Sequence, residues 1–553
     1  MTKMRSWWLV VLVICGLGYV FLGGQSGCGE VCTDDDGDGY AVEGGSCGTI
    51  DCDDADSGIN PGIDEVGGGL CDDGIDQDCD GQDCTLICTD DDGDGYGDPA
   101  SPSCDHPEAD CDDSDADVNP AVSEDEDAGN CDDGVDNDCD GLVDGADAGC
   151  GSGPYDGYTL FNPMMSTTTT LIDNDESSMN TWNCSATPAS MPYLMPDCTM
   201  VRPAAVSNPD MGGAAAGGRI QKIDWDGSVT WNYIWSNSNH QQHHDIQPMP
   251  NGNVLLVSWE RKTRTEAIAA GRQSISGEMW PTEIVEIEPS GASGGTVVWE
   301  WHLWDHLIQD ADPSKPGYGV VADHPELMDI NYGNVGGGPQ GGGDWLHVNA
   351  IDYHAELDQI IFSSRTTNEL YIIDHSTTTA EAAGHTGGDS GMGGDFLYRW
   401  GNPQVYDRGD SSDRKIYVIH GVNWVPSGYP GAGNILYYEN GVGQPGTDYS
   451  SVEEVVPPLD GYNYTLAAGQ AYGPAAPAWS YNGGGSFYSE AQSGAYRLPN
   501  GNTLITVANS NRIMEVSAAG ELVWDYTGGT MIARAMKYGD EYFNETCGAD
   551  LFD

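Results

Sequence analysis

Basic residues are what this chain has least of. It carries 19 Lys and Arg against 89 Asp and Glu, a formal net charge of −70 over 553 residues, and none of the 19 lies between Ser6 and Val201. Binding nucleic acid needs a basic footprint to neutralise phosphates, so nucleic acid is excluded as a partner. Also missing are a Gly-rich phosphate loop followed by Lys and a His-Glu-x-x-His zinc signature. Helical periodicity is scarce. The exception, Trp299-Glu-Trp-His-Leu-Trp-Asp-His-Leu-Ile308, fits a short amphipathic helix.

The acidic residues crowd positions 30–147. So dense a run repels itself unless cations neutralise it, which makes divalent cations the natural partner. Ahead of it stand Met1-Thr-Lys-Met-Arg5, an apolar run from Trp7 to Leu22 and Gly23-Gly-Gln-Ser-Gly-Cys28, the order of an export signal. Cys28 resembles the lipid-modified cysteine of a bacterial lipoprotein, although Gln25 stands where an aliphatic residue is usual. An uncleaved membrane anchor and ordinary cleavage with release are the other readings. All three place the rest of the chain in the bacterial cell envelope, in the periplasm or at the outer-membrane surface. Residues 1–28 are thus the signal. The acidic repeats occupy 29–150, a Gly-, Thr- and Ser-rich linker 151–215, and a β-rich domain 216–553.

The acidic region holds two copies of one unit, about 31–87 and 88–150. Cys32-Thr-Asp-Asp-Asp-Gly-Asp-Gly-Tyr40 recurs at Cys88–Tyr96, and Cys71-Asp-Asp-Gly-Ile-Asp-Gln-Asp-Cys-Asp-Gly81 recurs at Cys131–Gly141. Each copy has six cysteines: Cys32, Cys47, Cys52, Cys71, Cys79 and Cys84, then Cys88, Cys104, Cys111, Cys131, Cys139 and Cys150. In an exported chain these form a disulfide framework rather than zinc sites, with connectivity left open. Cys184 and Cys198 are expected to pair, leaving Cys547 over. Each copy also contains the D-x-D-x-D-G spacing twice: Asp34, Asp36, Asp38; Asp76, Asp78, Asp80; Asp90, Asp92, Asp94; Asp136, Asp138, Asp140. Alternate carboxylates on a loop turned sharply by the glycine converge on one hard cation, here calcium. The bland alternative is a disordered acidic linker. The pattern is similar to the cysteine-bearing calcium repeats of bacterial surface proteins known as a metal-binding motif, and distantly to thrombospondin type 3 repeats. It reads as a rigid spacer with structural Ca²⁺.

Beyond residue 215 the chain is all-β in character. A turn-then-strand phrase recurs as Pro250-Asn-Gly-Asn-Val-Leu-Leu-Val257, Gly431-Ala-Gly-Asn-Ile-Leu-Tyr-Tyr438 and Pro499-Asn-Gly-Asn-Thr-Leu-Ile-Thr506, and a second phrase ends in Trp231, Trp299 and Trp524. Repeated hairpins with one buried Trp per unit predict the blades of a β-propeller; a sandwich would not explain the repetition.

Eleven of the twelve histidines lie in this domain. His244 stands six residues before Pro250, His347 six before Tyr353 and His420 six before Pro426, with Ser493 at the corresponding place in the last unit. Equivalent positions in successive blades face the same way, so these three histidines converge on the central channel. The plain alternative is that each bonds buried backbone in its own blade. Metal ligation by Gln242-His-His-Asp245 or by His302 and His306 is a third reading.

Over roughly 200–530 the chain resembles the bacterial arylsulfate sulfotransferases, exported six-bladed propellers. The resemblance is densest in His243-His-Asp-Ile-Gln-Pro-Met-Pro-Asn-Gly-Asn253, Trp345-Leu-His-Val-Asn-Ala-Ile-Asp-Tyr353, Ser363-Ser-Arg365, Tyr398-Arg-Trp-Gly-Asn402 and Arg497-Leu-Pro-Asn-Gly-Asn502. It implies transfer of a sulfuryl group from a phenolic sulfate to a phenol acceptor, without phosphoadenosine or any other organic cofactor. It also implies that His420 is the nucleophile, with His347, Arg365 and His244 around it and two half-reactions in ping-pong order. A neutral imidazole is free near pH 7 and leaves readily afterwards. Arg365 would hold the sulfuryl oxygens, and His347 or His244 would protonate the departing phenolate. His243, next to His244, is expected to face away as alternate strand residues do. Gly421 after His420 departs from the polar neighbour the family would suggest. A calcium-dependent surface-binding or adhesion propeller is the reading from another class.

Overall fold

The computed structural model describes residues 153–213, 216–336, 342–539, 542, 543 and 547, and short stretches of the acidic region between 33 and 139. The export signal, Cys28, Asp34, Asp38, Asp80, Asp140 and half of the acidic-region cysteines lie outside the described residues. The chain divides into two compact units, Met1–Val122 and Ser123–Asp553.

In the first unit the described residues form turns and single bridges, Ala41 to Ile50 and Gly97 to Ala109, with no helix or strand. Disulfides Cys52–Cys79 and Cys88–Cys104 brace it. Among its described residues the buried apolar side chains, Ala41, Tyr96 and Val118, are too few for a core of their own, and the disulfides supply cross-links instead.

The second unit is a six-bladed propeller of four-stranded antiparallel sheets. Blade one combines Tyr158–Pro163, Thr168–Ile172 and Ser178–Asn183 with the last strand of the chain, Ile532–Tyr538, which pairs with Tyr158–Pro163 and closes the ring. Blade two is Tyr193–Leu194, Met200–Ala205, Gly218–Ile223 and Val229–Ile234. Blade three is His240–Pro248, Val254–Glu260, Thr282–Ser290 and Gly294–His302. Blade four is Val348–His354, Gln359–Ser364, Glu369–Asp374 and Phe396–Trp400. Blade five is Ile419–Trp424, Ile435–Glu439, Ser451–Val455 and Trp479–Tyr481. Blade six is Gly494–Arg497, Thr503–Val507, Arg512–Val516 and Leu522–Thr527. The first strand of blades three to six and the closing strand of blade one meet around the axis.

Two expectations change here. Residues 158–205, expected to be linker and entry segment, form three strands of blade one and the first half of blade two. The expected helix at 299–308 is an outer strand through His302 followed by one 3-10 turn, Leu303–Asp305. Trp301 and Trp304 stand at helical spacing, but Trp299 and Trp301 stand at strand spacing, and the ladder to Thr282–Ser290 decides for the strand.

The repeated phrases have structural causes. Middle strands such as Val254–Glu260 and Gln359–Ser364 are buried along their whole length, because a blade is covered on both faces by its neighbours. The last Asn of each turn phrase bonds a glutamate on the third strand of its blade: Asn253 to Glu286 at 2.5 Å, Asn434 to Glu454 at 2.6 Å and Asn502 to Glu515 at 2.7 Å. The outer-strand tryptophans pin blade to blade. Trp182 donates its indole N–H to Asp224 O at 3.1 Å, Trp231 to Gly294 O at 2.7 Å and Trp524 to Asn174 O at 2.8 Å, each on the next blade round. Trp231→Phe keeps an aromatic side chain but removes that donor and leaves part of the indole's space unfilled, at a cost of about 1–3 kcal/mol or more. A urea titration should register this as a lowered midpoint with unchanged slope.

The expected Cys184–Cys198 bridge does not form. Cys198 is bonded to Cys547, and Cys184 is a free thiol. Ring closure brings the chain's end against blade two, a proximity that sequence separation conceals.

Candidate active site

The three in-phase histidines come together. His244 lies in the inner strand of blade three, His347 directly before that of blade four, and His420 in that of blade five. At each of these places the ladder slips: between Gln242 and Ile246, between Val348 and Ala350, and between His420 and Asn423. The backbone is left-handed at His244 (φ 49°), His347 (φ 51°) and Ser493 (φ 82°), and at Gly421 (φ 62°) beside His420. Such bulges re-aim side chains, and here they turn polar residues out of the blade and into the channel. Gln242 braces the first of them, accepting from Gly218 N at 2.7 Å and donating to His243 O at 3.1 Å. Gly421 is required by this geometry. A Cβ there would lie 2.7 Å from Gly494 Cα and 3.0 Å from Ser493 O, in a left-handed conformation.

The His244 and His347 rings stand edge to face with centroids 4.7 Å apart. His347 Nδ1 donates to Asp344 Oδ2 at 2.6 Å, while Asp344 Oδ1 accepts from Trp259 Nε1 at 3.0 Å and from the His347 backbone N–H at 3.2 Å. Burial pushes the Asp344 carboxyl up, but the His347 hydrogen bond and the surrounding positive field outweigh it and hold the group below the usual range. The carboxylate therefore keeps a proton on His347 Nδ1 and turns Nε2 towards the site.

His420 is fixed in the same sense by a neutral partner. Asn440 Nδ2 donates to Ser489 O at 2.7 Å and to Gln492 O at 3.1 Å, so its Oδ1 must be the atom that meets His420 Nδ1 at 2.6 Å. Nδ1 carries the hydrogen, and Nε2 is left with a lone pair. Burial drives the His420 pKa down to about 3, the Asn440 hydrogen bond opposing and the nearby Arg365, His347 and Arg534 charges reinforcing the fall. Nitrogen-15 spectra of labelled histidine should show His420 as the neutral Nδ1–H tautomer throughout pH 5–8, whereas an ordinary imidazole near 6.5 would titrate in that window.

Arg365 follows the second strand of blade four, its backbone N–H bonded to His347 O at 3.2 Å. It is half-buried, and its guanidinium makes no side-chain hydrogen bond or ion pair among the described residues. Burial lowers its pKa, opposed by Glu490 and Asp344. Arg365 lies close enough to His420 for its charge to help hold that ring neutral.

Three contributors escaped the sequence reading. Asp344 was legible only as the Asp-x-x-His spacing. Asn440 precedes a glycine and reads as a turn. Arg534, in the closing strand, is buried and paired with Asp245 at 2.6 Å, and it also donates to Ser190 Oγ at 2.9 Å and Tyr496 Oη at 3.2 Å. Its charge helps keep His244 and His420 neutral. Nothing local in the sequence announces it.

His243 does not face away. The kink at His244 breaks the alternation, so His243 Nδ1 lies 2.9 Å from His244 Nδ1 and its ring stacks on Trp259 at 4.2 Å. Burial takes its pKa down to about 3. Of the metal readings in this domain, Gln242-His-His-Asp245 does not hold, because Asp245 is committed to Arg534 and Gln242 to backbone. His302 and His306 do not share a site: His302 gathers with Glu260 and Glu283, and His306 with His385 and Asp395, each group with its ligand atoms within 4.8 Å of one another.

Of the predicted cation ligands, Asp90, Asp92 and Asp94 converge with carboxylate oxygens within 4.8 Å of one another. Asp92 Oδ2 and Asp94 Oδ2 are buried without a hydrogen-bond partner. Asp36, Asp76, Asp78, Asp136 and Asp138 belong to loops of which only part is described. An all-carboxylate set with orphaned oxygens suits a hard metal ion, and the cysteines nearby are held in disulfides. Those disulfides belong to an oxidising, extracytoplasmic compartment.

A family model described as arylsulfotransferase matches residues 206–523, more than half of the chain. A metal-binding motif of the MopE type matches 51–83 and 110–145. Among solved structures, a protein of unknown function from Bacteroides caccae aligns with 69% of this chain and 98% of its own at 10% identity and a TM-score of 0.38. Virginiamycin B lyase from Staphylococcus aureus aligns with 68% and 83% respectively at 11% identity and a TM-score of 0.30. No curated protein matches the chain.

Proposed function

The chain belongs to the arylsulfotransferase family, and we propose that it moves a sulfuryl group from a phenolic sulfate to a phenol through a sulfohistidine at His420. The observation that carries this reading is an oriented, neutral His420 beside Arg365, whose guanidinium makes no hydrogen bond or ion pair among the described residues. In the first half-reaction the Nε2 lone pair of His420 attacks sulfur, the S–O(aryl) bond breaks, and Arg365 holds the sulfuryl oxygens as charge redistributes. The departing phenolate takes the Nε2 proton of a doubly protonated His347, whose positive charge Asp344 has balanced. In the second, an acceptor phenol gives its proton to His347 Nε2, its oxygen attacks sulfur, and the N–S bond returns its electrons to His420. Sulfated His420 is a cationic ring because Nδ1 keeps its hydrogen, which makes it a good leaving group; Asn440 supports that hydrogen.

The acidic unit binds calcium through its Asp-x-Asp-x-Asp-Gly loops and, with its disulfides, spaces the propeller from a membrane tether formed by a lipid on Cys28 or by the N-terminal apolar run. Purified protein incubated with 4-nitrophenyl sulfate and varied phenol acceptor should give parallel double-reciprocal lines and a sulfated His420 peptide. Intersecting lines with no labelled peptide would sink the relay, and a folded, calcium-loaded protein inert to several aryl sulfates would favour a binding propeller.

A further inference from the structure

The loop Asp90-Asp-Asp-Gly-Asp-Gly95 presents its carboxylates to one side. Asp90 uses both oxygens on local backbone, Oδ1 accepting from Gly93 N at 2.6 Å and Oδ2 from Gly95 N at 3.1 Å, whereas Asp92 and Asp94 use one each, Asp92 Oδ1 accepting from Asp94 N at 3.2 Å and Asp94 Oδ1 from Tyr96 N at 2.9 Å. The second oxygens of Asp92 and Asp94 are the orphans. What faces them comes from a different stretch of chain, beyond the Cys88–Cys104 disulfide. Asp110 and Asp113 place carboxylate oxygens within 4.8 Å of Asp92 and of each other. Asp110 is 3% exposed; its Oδ1 accepts from Asp112 N at 2.9 Å, and its Oδ2 is buried with no partner. The two groups share Asp92, and one cation between them would satisfy the buried, unpartnered oxygens of Asp92, Asp94 and Asp110 together.

Asp51 in the first repeat is placed as Asp110 is in the second. Asp51 is 1% exposed, its Oδ1 accepts from Asp53 N at 2.9 Å, and its Oδ2 is likewise buried without a partner. Both aspartates are presented by the same one-residue parallel bridge, Ala41 to Ile50 and Gly97 to Ala109, with Asp51 N bonded to Ala41 O and Asp110 N to Gly97 O, each at 3.1 Å. The matched metal-binding motif opens at these two aspartates, at residues 51 and 110, whereas the first loop of each repeat precedes the match.

We infer that each repeat holds one divalent cation in a composite site, in which Asp110, with Asp113, completes the Asp90–Asp94 loop, and Asp51 serves the first repeat in the same way. The ion would then staple two segments that a disulfide already ties, and its loss would free the second segment rather than only the loop. This rests on the calcium reading given above and adds ligands that the loop spacing does not contain.

Equilibrium dialysis of the full-length protein against buffered calcium, with terbium luminescence excited through tyrosine, counts the sites. Asp110→Asn should bind one ion fewer than wild type, Asp51→Asn one fewer, and the double variant two fewer, each lost site weakening by tenfold or more. Asp112→Asn, an exposed carboxylate that bonds Ser114 Oγ at 2.6 Å, should bind as wild type does. An Asp110→Asn protein that keeps the full complement while Asp92→Asn loses one ion would overturn the composite site and leave the loop reading standing. A wild-type protein that binds neither calcium nor terbium would overturn both.

Discussion

Replacing His420 by Ala should lower turnover of 4-nitrophenyl sulfate on the order of 10⁴-fold or more, as removal of a covalent nucleophile does. The loss should fall on kcat and on both half-reactions, because one nitrogen accepts and returns the sulfuryl group. His420 is 3% exposed, and its absence also unpairs Asn440 Oδ1, so a structural cost of about 1–3 kcal/mol accompanies the change. Thermal unfolding of the variant must therefore be measured beside its activity. His420→Asn, which keeps a polar group facing Asn440, is the control for that cost. If either folded variant retains a tenth of wild-type turnover, His420 does not carry the sulfuryl group.

Asp344→Asn should be nearly as damaging, on the order of 10³–10⁴-fold, through a proton rather than a contact. Two donors, Trp259 Nε1 and the His347 backbone N–H, converge on Asp344 Oδ1. In an asparagine the amide oxygen must take that place, which puts the NH₂ opposite His347 Nδ1. A donor there forces the His347 hydrogen onto Nε2 and removes the carboxylate that balances the imidazolium. The ring then cannot carry the second proton that the leaving phenolate needs. Donors with poor leaving groups should suffer most, and 4-nitrophenyl sulfate, whose phenolate is stable, should suffer least. A loss that is equal across leaving groups would make Asp344 a packing residue only.

The sequence reading succeeded wherever repetition multiplied a weak signal. One Asn-Gly turn means little, but the phrase at 250, 431 and 499 located blades, and counting six residues back from Pro250, Tyr353 and Pro426 located the histidines. It failed where a local rule was broken by geometry. His243 was expected to face away because strands alternate, and the left-handed residue at His244 cancels that alternation. Cys198 was given the nearer cysteine in sequence, whereas closure of the ring supplies Cys547. Gly421 looked like a departure from the family and is the residue that lets blades five and six approach.

The sequence by itself determined the acidic, cysteine-braced unit and the bladed β architecture, and it singled out His244, His347 and His420 by their common phase. Each of these is written in spacing, and spacing survives in one dimension. Only the tertiary structure decided which ring nitrogen is free, that Arg365 comes close enough for its charge to act on His420, that Arg534 from the last strand pairs with Asp245 beside His244, and that Asp110 faces Asp92. Those facts depend on groups that approach one another across blades or across a disulfide. Burial there shifts protonation and orphans carboxylate oxygens in ways no local pattern records.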